Sequence, residues 1–294
     1  MTAQEHNPEP NNPLGIDGIE FVEYATAQPL ALGALLEQMG FVPTARHRSR
    51  EVTLYRQGTM NVIVNADPRA LSQSETDPQS TVISAIALRV RDADAAYRHA
   101  IAMGAWAIET RAGAMELNIP GVHGVGGSIL YFVDRFRDFS IYDVDFKPIM
   151  HAPTNPPALA GMHFFGVVQA IGYDRSPEWI DFYQQLMDFR PLPQGSYFGV
   201  LPKGTLLESP CHSFYLQLVE PPDGAGGLQW DEQLIRIGIG APDVLATVKE
   251  LKQRGIVFID REPAQSSEKG ALTQLYKSGV SFELVVSHLN LAGE

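Results

Sequence analysis

The sequence predicts an α+β protein made of two tandem modules, and three observations lead to this prediction. The chain has 294 residues, which is enough for two domains of about 150 residues each. A Pro-rich stretch at 151–159 is typical of a linker. The segments on either side of it follow one plan of strands and helices, which indicates an internal duplication. We therefore divide the chain into a polar, disordered lead at 1–12, an N-terminal module at 13–150, the linker, and a C-terminal module at 160–294.

Each module opens with a strand that is followed by a helix. In the first module, a strand around 18–24 precedes a helix over roughly 29–39. In the second, a strand around 162–168 precedes a helix at about 177–187, whose apolar residues fall on one face. Ser176 is the expected N-cap of this second helix, because a serine hydroxyl accepts a hydrogen bond from a free backbone N–H there.

The later half of each module gives the closer internal match. A strand leads into a helix that stops at a glycine, Gly104 in the first module and Gly255 in the second. Glycine suits the left-handed position that ends a helix. Ala85 and Arg236 each lie 19 residues before their glycine, so they hold equivalent positions. Each module then closes with a β-rich strand, and this order of elements favours a curved sheet around a cavity with helices on the other face.

Composition narrows the classes of function. The chain is 45% hydrophobic and 19% charged, with a net charge of -12 and no basic run, which excludes a typical nucleic-acid or acidic-membrane surface. No apolar run approaches the roughly 20 residues that span a bilayer, and the N-terminus does not resemble a signal peptide. The single cysteine, Cys211, excludes an internal disulfide. We expect a cytoplasmic protein with a small-molecule ligand.

Six strings in the N-terminal half are long and rare enough to carry a family resemblance. They lie at 12–24, 47–58, 115–120, 124–127, 131–136 and 140–146. In this order they resemble bacterial 4-hydroxyphenylpyruvate dioxygenases, members of the vicinal oxygen chelate superfamily. The resemblance is dense through residue 146 and thinner after 160. It implies two tandem vicinal-oxygen-chelate modules of βαβββ repeats, whose curved mixed sheets surround a cavity.

The resemblance also implies a metal site in the C-terminal module. In that family, two histidines and one glutamate from the first, fifth and last strands hold Fe(II), and a 2-oxo acid chelates it beside O₂. These positions fall on His163, Arg236 and Glu283, so an arginine stands where the family has a histidine. A guanidinium has no lone pair to donate and stays protonated, so Arg236 cannot bind Fe(II) or another divalent metal.

The corresponding positions of the N-terminal module are Gly18, Ala85 and Tyr131, which supply no ligand set. We expect this module to be a scaffold without metal ligands, as in the family.

Arg236 has two alternative roles. It can form a buried ion pair with Glu283, which would leave no room for a cation, or it can point into the cavity and hold a substrate carboxylate through two parallel hydrogen bonds. Gln274 matches a glutamine that faces the substrate in the family, and we take Gln274 and Arg236 as the candidate catalytic and substrate-binding residues. His163 is a metal ligand by position, although a strand histidine is often only a satisfied core residue.

Several further residues were weighed. His212, at the head of a strand in the same sheet, is the candidate substitute metal ligand, although a surface role explains it equally well. Cys211 and His288 are expected to be bystanders, and the Gly-rich segment 121–127 is a weak phosphate-binding signal because it does not run into a helix. Only 11 residues follow Glu283, so the helix that closes the family's active site is expected to be absent.

Two functions from different classes follow. The first is a 4-hydroxyphenylpyruvate dioxygenase-like oxygenase with an altered site for Fe(II) or another divalent metal, acting on a small 2-oxo acid or a related carboxylate. The alternative is a metal-free carboxylate-binding protein or pseudoenzyme on the same scaffold; a non-oxidative lyase or isomerase is a further alternative. The resemblance implies a homodimer or other homo-oligomer, and the composition predicts no nucleic-acid or membrane partner.

Overall fold

The computed structural model describes residues 11–68, 81–109, 116–196, 198–200, 204–222, 230–261, 265–276 and 279–287. Within them the strands form two mixed sheets, one before and one after the Pro-rich segment. The predicted α+β architecture of two duplicated curved sheets is therefore confirmed in its main features. In the described part of the chain, no helix combines the length and the apolar composition needed to cross a membrane.

The first sheet contains parallel and antiparallel pairs. Its strands are Ile16–Ala25 (β1), Val42–His47 (β2), Val52–Gln57 (β3), Met60–Asn65 (β4), Val82–Val90 (β5), Gly121–His123 (β6), Ile129–Val133 (β7) and Phe146–Pro148 (β8). Among the described residues they lie in the order β6-β7-β5-β1-β4-β3-β2-β8. The longest strands, β1 and β5, are antiparallel neighbours at its centre.

The second sheet repeats this plan. Its strands are His163–Ala170 (β9), Arg190–Pro191 (β10), Thr205–Glu208 (β11), Tyr215–Val219 (β12), Gln233–Ala241 (β13), Gly270–Leu272 (β14) and Phe282–Val286 (β15). Their order in the described residues is β10-β11-β12-β9-β13-β15-β14. Here β9 and β13 are the central antiparallel pair, as β1 and β5 are in the first sheet.

The helices follow the predicted positions closely. They are Pro29–Gln38 (α1), Ala93–Ala102 (α2), Ile141–Asp145 (α3), Ser176–Met187 (α4) and Val244–Gln253 (α5), with short 3-10 turns at Val125–Gly127 and Leu159–Gly161. Gly104 and Gly255, which follow α2 and α5, both have a φ of +95°, the left-handed conformation that the duplicated glycine predicted.

The expected N-cap role of Ser176 was wrong. Arg175 precedes α4 as its N-cap, and Ser176 is the first helical residue. Glu220, from the end of the neighbouring β12, accepts hydrogen bonds from the backbone N–H and the hydroxyl of Ser176. A carboxylate from outside the helix therefore satisfies its first turn, a role that the local sequence alone could not indicate.

The two sheets pack against each other through a continuous hydrophobic core. Strand β13 packs beside β5, and the turn at Val125–Gly127 lies against the start of β13. A Cβ atom on Gly126 would overlap the carbonyl group of Glu232, and Gly126 has a φ of +56°. The Gly-rich segment of the first module therefore allows close approach to the backbone of the second, which is a packing role.

Candidate functional site

Three neighbouring strands of the second sheet carry the predicted metal positions. In the pairing of β13 with β9, Gly240 lies opposite His163, and in its pairing with β15, Gly238 lies opposite Glu283. Arg236 is two residues before Gly238. Because directly paired residues and residues two apart share one face of a sheet, His163, Arg236 and Glu283 project from the same face.

Arg236 and Glu283 form an ion pair. The Nη1 atom of Arg236 donates to Oε2 of Glu283 at 3.1 Å. The two side chains are only 14% and 4% exposed, respectively, so the contact joins two largely buried groups of opposite charge. The structure therefore contains the ion pair considered for Arg236, made through Nη1 of the guanidinium.

The second oxygen of Glu283 is also engaged. The backbone N–H of Val200 donates to Oε1 at 3.3 Å. The neighbouring Gly199, whose φ is +71°, lies so close to Glu283 that a Cβ atom there would overlap Oε1. The loop that contains Gly199 therefore covers the carboxylate, and both carboxylate oxygens bond to protein groups.

Arg236 retains one unused donor. Its Nε atom is buried and makes no hydrogen bond to any residue that the structure describes. Because Nη1 donates to Glu283, the edge of the guanidinium formed by Nε and Nη2 is the one that can bind a planar anion through two hydrogen bonds. Arg50 uses this same edge to hold Glu116 elsewhere in the chain. An unpaired buried N–H costs about 1–3 kcal/mol, which an anionic ligand would offset.

His163 is a buried and satisfied histidine. It is 3% exposed, its Nδ1 lies 3.2 Å from the carbonyl oxygen of Gly161, and its Nε2 lies 2.9 Å from the hydroxyl of Ser287. Burial lowers the pKa of His163 below its ordinary 6.5, against a smaller opposing effect of the Gly161 carbonyl. The neutral ring donates from Nδ1 to the carbonyl, so Nε2 accepts the Ser287 hydroxyl proton.

We expect His163 to make the protein less stable in mild acid. Its pKa is lower in the folded state, so the unfolded chain binds more protons between that value and about 6.5. The free energy of unfolding should therefore fall as pH drops below 6.5, by at most about 1.4 kcal/mol per pH unit. The free energy of unfolding, measured by urea denaturation at several pH values, should change less with pH in His163→Gln than in wild type within this window. His212→Gln, at an exposed position, serves as the control, and an unchanged slope in His163→Gln would contradict the expectation.

An aromatic cluster that we did not predict includes Phe198, the residue before Gly199. Phe198 lies 4.9 Å from Phe165 and 4.7 Å from Tyr215 between ring centroids, and Phe165 and Tyr215 are 5.0 Å apart. Tyr215 and Glu283 lie in the same row of paired residues across the sheet, with β9 and β13 between them. Gln217 and Arg236 lie in another such row, in which both pair with Val168. Alternation along β12 was the available signal for Tyr215 and Gln217.

The remaining predicted residues lie outside this cluster. Gln274 is exposed just after β14, and in the described part of the chain no hydrogen bond or ion pair links its side chain to Arg236 or Glu283. His212 is 63% exposed and pairs with Glu208 at 3.1 Å. Cys211 contacts the hydroxyls of Ser209 and Ser213. His288 lies outside the described residues.

Among the residues that the structure describes, no group of three or more His, Cys, Asp or Glu side chains is arranged to hold a metal ion. Two tandem mixed sheets of this topology, with the central strands of the second carrying the site, define a two-module protein of the vicinal oxygen chelate type.

Comparison with known proteins gives the family. A model of the N-terminal part of hydroxyphenylpyruvate dioxygenase matches residues 10–147. The chain is 33% identical to hemolysin VllY of Vibrio vulnificus over 286 residues, 92% of this chain and 79% of that protein. It is 32% identical to 4-hydroxyphenylpyruvate dioxygenase of Pseudomonas aeruginosa over 265 residues, covering 85% of this chain and 73% of that enzyme. The chain therefore belongs to the 4-hydroxyphenylpyruvate dioxygenase family.

A solved structure agrees with the fold. A fusion protein of a xylose isomerase-like TIM barrel and 4-hydroxyphenylpyruvate dioxygenase superposes with a TM-score of 0.74 at 23% sequence identity. The match covers 98% of this chain and 51% of the fusion protein, so this chain spans about half of that protein's length.

Proposed function

We propose that the C-terminal site of this chain binds a small carboxylate, such as a 2-oxo acid, through Arg236 and without a metal ion. The proposal rests on the hydrogen bonding of the Arg236 guanidinium. Nη1 is held by Glu283, while the buried Nε has no partner among the described residues. This fixed fork matches the geometry of a carboxylate, which accepts two parallel hydrogen bonds from such an edge.

The side chains at the three predicted metal positions, His163, Arg236 and Glu283, do not fit a divalent cation. Arg236 stands at the position where the family resemblance expects a histidine, and it cannot donate a lone pair. Both oxygens of Glu283 bond to protein N–H groups. The Nε2 atom of His163 accepts the Ser287 hydroxyl. A cation here would also lie beside a permanent positive charge, which opposes binding.

The aromatic cluster that includes Phe198, the residue before Gly199, favours a carboxylate with an aromatic or apolar body. The rings of Phe165, Phe198 and Tyr215 form one cluster, and aromatic faces stabilise a second ring by offset or edge contacts. In this proposal Arg236 fixes the carboxylate, Glu283 fixes Arg236, and the loop around Gly199 keeps water from the pair. These roles are binding and orientation, and they require no covalent step.

The oxygenase is the second candidate, and the sequence identity to proteins named 4-hydroxyphenylpyruvate dioxygenase favours it. It would act on a 2-oxo acid with Fe(II), and it requires Glu283 to leave Arg236. Oxygen uptake on addition of phenylpyruvate to Fe(II)-loaded protein, absent in His163→Ala, would support it over metal-free binding.

Calorimetric titration with phenylpyruvate in excess EDTA tests the proposal. Wild type should bind one equivalent, 3-phenylpropionate should bind with comparable affinity, and the uncharged 2-phenylethanol should bind far more weakly. Arg236→Met should lose about 10–100-fold in affinity, the effect of a lost charge-assisted pair. His212→Gln, a substitution on an exposed histidine, is the control. Binding that needs an added metal, or that Arg236→Met does not weaken, would refute the proposal.

A further inference from the structure

The N-terminal module, which we expected to be a scaffold, contains a cavity of about 840 Å³. The cavity lies on one face of the first sheet, between residues of β1, β4, β5 and β7. Residues 125–128 and 230–234 close one side of it. This volume is within the range of about 300–1,000 Å³ that is usual for small-molecule sites.

The described lining residues are strongly acidic. Seven of them carry carboxylates and one is an arginine. The arginine, Arg50, is held on Glu116 through both Nε and Nη2, so its charge is balanced within the wall. Burial lowers the pKa of His47, which reduces its positive charge at neutral pH. The lining therefore repels an anion and attracts a cation.

Glu23 lies near the centre of this face, and its carboxylate has unused hydrogen-bonding capacity. Its Oε1 atom accepts from the hydroxyl of Ser84 at 2.8 Å and from Nδ2 of Asn65 at 3.1 Å. Both donors are neutral. Among the described residues, Oε2 makes no hydrogen bond. Desolvation raises the pKa of Glu23, and the hydrogen bonds from Ser84 and Asn65, together with the nearby Arg50, offset this only in part. Glu23 is thus a carboxylate that lacks a directly bonded counter-charge.

The walls around Glu23 are apolar and aromatic. Phe21 and Tyr131 extend from β1 and β7 with ring centroids 6.1 Å apart. Ile63 and Ile129 line the same face, and Trp230 lines the cavity from the second module. A ligand with one positive group and a flat apolar body would bury its body here and bring its charge to Glu23.

We propose that this cavity is a second small-molecule site, which binds an amphipathic organic cation, such as a primary ammonium on an aromatic body, with Glu23 as the anchor. The site is separate from Arg236 and takes a ligand of opposite charge, so it does not depend on the proposed function.

Calorimetric titration of the full chain with 2-phenylethylamine at neutral pH and low salt tests this site. Wild type should bind one equivalent saturably. Glu23→Gln keeps a carbonyl oxygen for Ser84 and Asn65 but removes the charge, and should weaken binding by at least about tenfold. Glu109→Gln is the matched control, because it removes the same charge from an exposed lining position and should change affinity by less than about twofold.

The outcomes separate the alternatives. No saturable binding up to about 10 mM, an affinity too weak for a specific site, would overturn the proposal. Equal binding to wild type and Glu23→Gln would also overturn it, as would equal binding of 3-phenylpropionate or 2-phenylethanol. Glu23→Gln should unfold at no lower urea concentration than wild type, because the change removes a desolvated charge. Arg236→Met should still bind 2-phenylethylamine. The amine-site proposal and the carboxylate-site proposal can therefore fail independently of each other.

Discussion

Arg236→Met is expected to lower the free energy of unfolding by about 3–5 kcal/mol, because it removes the guanidinium that pairs with the buried Glu283. Glu283 is 4% exposed, and the neutral N–H of Val200 would still donate to it. Methionine fills much of the volume of the arginine stem, so the loss of stability should come mainly from removal of the positive charge. Urea denaturation at neutral pH, followed by tryptophan fluorescence and circular dichroism, measures it.

A double-mutant cycle isolates the pair from the loss of packing. Glu283→Met alone should also destabilise, because it leaves a buried guanidinium. The combination Arg236→Met with Glu283→Met should recover most of the loss, since replacing both members of a buried ion pair by apolar groups is often neutral. If the two single effects simply add, the Arg236–Glu283 pair is not the reason for the destabilisation.

If the wild-type site excludes metal as we propose, Arg236→His is expected to create a site for a divalent metal ion. The change removes the cation from Glu283 and places an imidazole on the strand face that carries His163 and Glu283. Two histidines and one carboxylate form a common site for divalent transition metals. We expect a gain in Co(II) affinity of more than about 100-fold, because loss of a supporting residue alone changes affinity by 10–100-fold. Titration followed by the visible absorption of Co(II) measures the gain.

Two controls accompany this experiment. Arg236→Met removes the same positive charge without adding a ligand, so it should bind Co(II) far more weakly than Arg236→His. Adding His163→Ala to Arg236→His should abolish the gain. An Arg236→His protein that binds Co(II) no better than wild type would mean that the three strand positions do not converge on one point.

The sequence predicted the position of Arg236 because local signals set the register of its strand. The helix after β13 ends at Gly255, and the same spacing to Gly104 in the first module made Arg236 and Ala85 equivalent. Glu283 followed from the family pattern. With both charges on neighbouring buried strands, an ion pair was one of two available arrangements, and the structure shows a 3.1 Å contact.

Contacts that come from distant parts of the chain were not predictable in this way. The loop at Gly199 reaches Glu283 across more than 80 residues, and Ser287 reaches His163 across 124. No local pattern indicates either partner. Gln274 is predicted from the family to face the substrate, but its exposure at the end of β14 depends on how the chain leaves the sheet.

The N-terminal cavity was missed for a related reason. Gly18, Ala85 and Tyr131 are the N-terminal equivalents of the predicted metal positions, and of these three only Tyr131 lines the cavity. Glu23 is two residues beyond Phe21 on β1 and therefore shares its face. Asp17 and Glu20 lie on the same strand, so no local pattern singled out Glu23.

Elemental analysis of the purified wild-type chain, after incubation with Fe(II), Co(II) or Zn(II) and removal of free metal, tests most directly whether Arg236 and Glu283 exclude a metal ion from this site. We predict substantially less than one metal ion per chain, at the same level in wild type and in His163→Ala. Retention of about one ion per chain that His163→Ala abolishes would contradict the account and favour the Fe(II)-dependent oxygenase as the function of this site.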